Sequence, residues 1–74
     1  MKLNDAELGK KVVIKNVSLS APEKNRLTAF GIKEGAVVTP ERFSAFKSSV
    51  LVRCGGVRVI MRAELAAEIE VAYV

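Results

Sequence analysis

The stretch from Val50 to Arg62, two alternating runs that meet at Gly55-Gly56, restricts the fold of this chain more than any other. A glycine pair between runs rich in β-branched residues predicts a two-residue hairpin turn, because glycine reaches positive φ without steric cost. Such a turn fixes the register. Cys54 then faces Val57, Val52 faces Val59 and Val50 faces Met61 on one side, while Arg53 faces Arg58 and Leu51 faces Ile60 on the other. The first side is expected to be core. Two directly opposed arginines repel, so their face is expected to be solvated or to meet an anion.

The rest of the chain supplies partners for this hairpin. Gly9 to Val17 is rich in β-branched residues and predicts a first strand, with Val12 and Ile14 on one face and Val13 and Val17 on the other. Ser20-Ala21-Pro22-Glu23 has the spacing of a capping box with proline in the first turn, which predicts a helix over 21–30 that ends at Gly31. Leu27, Phe30 and Ile32 are expected to meet the barrel and Lys24, Asn25, Thr28 and Lys33 to face water. Gly31 to Gly35 is a turn into a second strand over 36–39, and Pro40 is expected to interrupt its pairing or confine it to an edge. Residues 41–49 read as a loop. About one helical turn follows over 63–68, and 69–74 alternates as a last strand with Ile69, Val71 and Tyr73 on one face. These elements predict a mainly β fold, a small barrel of about five strands with one short helix, and a single domain over 1–74.

The chain has 74 residues, of which 50% are hydrophobic and 27% charged. A domain of this size buries only about 60% of the surface its unfolded chain exposes, which leaves no room for a cleft between domains. No apolar run approaches the roughly 20 residues of a membrane helix, and the first residues lack a signal-peptide pattern, so no membrane insertion and a cytoplasmic location are expected. A single cysteine, Cys54, fits a reducing compartment. The formal charge of +4 is interspersed rather than clustered, a mild bias toward anionic partners.

No residue pattern points to catalysis. The chain has no histidine, so the commonest general base and metal ligand are both missing. Cys54, on the core side of the hairpin, reads as a small buried apolar residue rather than a nucleophile. The glycines form no phosphate-cradling pattern, and the carboxylates show no calcium-loop spacing. No cofactor, no metal and no enzymatic activity are therefore expected. Arg53, Arg58 and Arg62 form a small positive stripe, but few aromatics accompany it and no nucleic acid is expected as partner.

Four segments, in order, resemble the FeoA family. They are Ala6-Glu7-Leu8-Gly9-Lys10 with the Val-rich strand after it; Arg26-Leu27-Thr28-Ala29-Phe30-Gly31-Ile32-Lys33-Glu34-Gly35-Ala36; the hairpin with its central glycine; and Arg62-x-Glu64-x-Ala66 leading to Ile69-x-Val71. Phe30 stands where the family usually has methionine, and residues 41–49 depart most from its pattern. The resemblance implies an SH3-like barrel and a small cytoplasmic accessory protein of bacterial ferrous iron transport that contacts the membrane transporter FeoB; the free protein is expected to be a monomer. A rigid barrel with an exposed helix and turn can present an apolar anchor ringed by polar groups, which makes Arg26, Leu27, Phe30, Gly31, Ile32 and Gly35 the candidate partner-binding residues. The alternatives are the barrel that iron-dependent repressors append to a DNA-binding half, although this chain opens on its own methionine without a helix-turn-helix, and a nucleic-acid-binding barrel.

Overall fold

A computed structural model describes residues 1–74. Five strands form one antiparallel sheet: β1 (Val12–Val17), β2 (Val37–Phe43), β3 (Ser49–Cys54), β4 (Val57–Arg62) and β5 (Ile69–Tyr73), in the spatial order β4-β3-β2-β1-β5. One helix of length, α1 (Ala21–Ala29), crosses between β1 and β2, and a single turn, α2 (Ala63–Ala66), separates β4 from β5. The fold is mainly β and SH3-like, with β4 and β5 as the two unjoined edges of a curled sheet.

The β3–β4 hairpin has the register its alternation predicts, from Cys54 opposite Val57 to Val50 opposite Met61. Gly55 alone of the pair takes positive φ, 61°, which is the demand of a type II′ turn. Val50, Val52 and Met61 are buried on the inner side with Ile14, Val38 and Val71 from the other strands.

Three readings of the sequence need correction. In β1 the pairing with β5 slips between Ile14 and Asn16, and this bulge reverses the side-chain parity. Val12, Ile14 and Val17 are therefore all buried together, rather than Val17 lying opposite the first two. Residues 41–49 are not one loop, since β2 runs on to Phe43 and only a 3-10 turn over Ala45–Lys47 precedes β3. Pro40 is buried within β2, paired with Val52; the β1 pairing stops at Val38 and the β3 register shifts between Pro40 and Arg42. The missing N–H is thus absorbed where the strand changes partner. At the start of α1 the capping box does not close: Ser20 makes no side-chain cap, and its hydroxyl donates to the Glu23 carboxylate at 3.1 Å.

The first residues, which carry no periodicity, plug one end of the sheet. A 3-10 turn over Leu3–Asp5 buries Leu3 completely, and Ala6 follows it inside. The Val71 N–H donates to the Met1 carbonyl at 2.8 Å, and the Met1 ammonium and Lys2 both pair with Glu70. At the other end of the chain the Tyr73 hydroxyl accepts the Glu7 N–H at 2.9 Å, leaving its ring half exposed although Ile69 and Val71 are buried.

Candidate functional site

The geometry of the α1 C-terminus follows from one residue. Gly31 takes a φ of +85°, so its N–H reaches the Thr28 carbonyl at 2.9 Å and the Ile32 N–H reaches the Leu27 carbonyl at 3.0 Å. This pair of bonds is a Schellman cap, and its usual apolar contact joins Leu27 to Ile32, both buried. Glu34 ties the helix to β1, its carboxylate pairing with Lys24 at 3.6 Å and accepting the Val17 N–H at 3.3 Å. With Leu27 turned inward and the cap rigid, Phe30 projects from the helix end at 43% exposure. Arg26, one turn earlier, is exposed and makes no ion pair, unlike Lys24.

Across from α1 lies the outer edge of β4. Between them runs a groove of about 660 Å³, with Arg26, Leu27 and Phe30 on the helix side and Val59, Ile60 and Met61 on the strand side. Leu65 of α2 closes one end, and Glu23, Arg62 and Glu64 stand on its rim. The floor is apolar and the rim carries both signs of charge. Ile60 is 72% exposed, an apolar side chain set between Arg58 and Arg62 on an edge strand.

The opposed arginines of the hairpin are held by an acid that β2 delivers. Arg53 Nε lies 3.1 Å and Arg58 Nε 3.0 Å from the two oxygens of Glu41, which bridges them. Arg42, Lys47 and Arg62 on the neighbouring strands and turn have no carboxylate partner, although Lys47 Nζ sits over the Phe43 ring at 4.4 Å. Beyond them Phe46 is fully exposed at a φ of 59°, on a turn that Ser44 closes by accepting the Ser49 N–H at 2.8 Å.

No group of histidine, cysteine, aspartate or glutamate side chains is gathered as a metal site. Cys54 is half buried, and its thiol donates to the Gly31 carbonyl at 3.5 Å, a packing role. Of the candidate partner-binding residues, Arg26 and Phe30 reach the groove's surface. Leu27 forms its floor at 4% exposure, whereas Ile32 at 1% belongs to the core and does not reach it. Gly31 and Gly35 are backbone hinges; Gly35 has a φ of +90° and donates to the Ile14 carbonyl at 2.8 Å, which turns the chain into β2. The β4 half of the groove went unforeseen, because no local pattern brings Val59 to Arg62 alongside a helix thirty residues upstream in the chain. The one available signal was Ile60, an apolar residue alternating with arginines on the outward face.

Comparison with known proteins matches this architecture. The chain aligns over its whole length with 70% of a FeoA protein from Chlorobium tepidum, at a TM-score of 0.93 and 27% identity. It aligns likewise with 46% of the iron(II) transport protein A from Clostridium thermocellum, at a TM-score of 0.91 and 23% identity. ScaR, solved with bound Zn2+, shares the fold over 37% of its chain at a TM-score of 0.85 and 15% identity. No curated protein sequence matches the chain. The family model of the FeoA domain matches residues 1–73, and the chain therefore belongs to the FeoA domain family.

Proposed function

We propose that this chain is a non-catalytic accessory protein of ferrous iron transport that works in the cytoplasm by binding a FeoB-type membrane transporter. No helix of the chain is long and apolar enough to cross a membrane. The observation that carries the reading is the α1–β4 groove, where Phe30 stands half exposed beside the unpaired Arg26 above a floor of Leu27 and Met61. Aromatic and arginine side chains beside an apolar pocket are the groups that most often dominate binding at protein interfaces.

The test is capture of the transporter from cell membranes on the tagged full chain, with and without guanine nucleotide. Wild type is expected to retain a FeoB-type protein. Arg26→Ala and Phe30→Ala, each with unchanged circular dichroism, are expected to lose about tenfold or more of that capture, as the loss of a hot-spot residue does. Capture unaffected by both variants counts against the groove, and no capture by wild type counts against the partner.

A further inference from the structure

β4 is an edge strand, and its hydrogen-bonding groups divide by parity. In a hairpin with a two-residue turn, the residues flanking the turn form the closing hydrogen-bonded pair, here Cys54 and Val57, and every second pair after it is bonded likewise. Val57, Val59 and Met61 therefore aim their N–H and C=O groups at β3. Arg58, Ile60 and Arg62 aim theirs outward, and no turn, loop or cap hydrogen bond of the chain reaches them. Two of this row, Ile60 and Arg62, line the groove beside α1.

We propose that this edge receives an extended segment of a partner protein as a sixth, antiparallel strand, and that the segment carries an acidic, apolar, acidic pattern at alternate positions. The inference rests on the groove being a docking surface and names how it is used. The backbone groups of Arg58, Ile60 and Arg62 give the main-chain ladder, as in other cases of strand addition. The side chains give the specificity. Residues opposite Arg58 and Arg62 share their face and are matched by carboxylates, and the residue opposite Ile60 is matched by an apolar side chain that covers its exposed surface. The two residues between them point to the other face, toward the groove floor of Val59 and Met61, and are apolar.

The charges on that face select this occupant. Arg62 has no carboxylate partner, and Arg58 shares Glu41 with Arg53, so the face keeps excess positive charge. A second copy of this chain is disfavoured by the same residues. Antiparallel pairing of two β4 edges about Ile60 sets Arg58 of each copy opposite Arg62 of the other, and like charges directly opposite one another destabilise a pair. Charged residues on an edge strand are a common device against such self-association.

The experiment is an NMR titration of the isotope-labelled full chain with the peptide acetyl-Glu-Val-Leu-Val-Glu-amide, and separately with acetyl-Lys-Val-Leu-Val-Lys-amide. The acidic peptide is expected to shift and to protect from exchange the amides of Arg58, Ile60 and Arg62, and the basic one to do neither. Ile60→Pro removes an outward N–H without touching the β3 ladder, and is expected to weaken the acidic peptide about tenfold or more. Arg62→Glu, a surface change that keeps the backbone intact, is expected to do the same and gives a reading if the proline variant fails to fold.

Shifts confined to α1, equal binding of both peptides, no binding of either, or a concentration-dependent dimer in sedimentation overturns the proposal. So does an oligothymidylate that shifts the same amides while the acidic peptide does not. Transporter capture separates the two readings. Loss in Phe30→Ala but not in Arg62→Glu leaves the groove as the docking site and removes strand addition, whereas loss in neither removes both.

Discussion

Gly31 shows how much one backbone angle determines here. Its φ of +85° lies where an L side chain costs about 1–2 kcal/mol. An added Cβ would stand 3.5 Å from Cys54 Sγ, an ordinary contact, so the backbone and not crowding sets the cost of alanine. Gly31→Ala is expected to lower the melting temperature by about 5–10 °C, and an unchanged value would show that the Schellman cap is not needed. Glu70 offers a second test, in pH. The Met1 ammonium first and Lys2 second hold its carboxyl below the ordinary 4.5. A lowered folded pKa means that the stabilisation is complete above 4.5 and is lost as pH falls through the folded value. Glu70→Gln is therefore expected to melt below wild type at neutral pH and to converge with it in acid; a gap that persists in acid would assign the effect to packing instead.

At the scale of the element, α1 separates two jobs that its sequence places side by side. Leu27 is buried and Phe30 is 43% exposed, three residues apart on a helix whose cap holds both. Leu27→Ala is expected to cost about 2–5 kcal/mol in chemical denaturation, and Phe30→Ala well under half of that, because only the first opens a cavity. Equal losses would mean that Phe30 is a core residue. The helix was legible because Ser20, Pro22 and Gly31 mark its ends by local chemistry, and the hairpin because Gly55-Gly56 and strict alternation leave one register. Other elements depend on distant partners. The bulge in β1 that brings Val17 inside is imposed by pairing with β5, and the continuation of β2 past Pro40 is imposed by β3. That continuation puts Glu41 between Arg53 and Arg58, so the anion expected opposite those arginines comes from within the chain. Of the groove lining, the sequence points to Arg26, Leu27 and Phe30; Ile32 falls into the same set because an apolar residue after a helix cap looks alike whether it anchors a partner or the core.

For the whole molecule the decisive property is that the sheet is open. β1, β2 and β3 each have a neighbour on both sides, whereas β4 and β5 each have one, and α1 faces β4 across the groove. Native-state hydrogen exchange reads this directly. Amides bonded in the ladder open only with the structure around them, while outward amides of an edge strand exchange from the folded state. Val59 and Met61 are therefore expected to be slow and Arg58, Ile60 and Arg62 fast, an alternation with period two along one strand. A barrel closed by β4–β5 pairing would protect both sets, and so would a dimer joined at β4. The alternating pattern in the free chain, at concentrations low enough to exclude association, follows only if the edge stands unpaired.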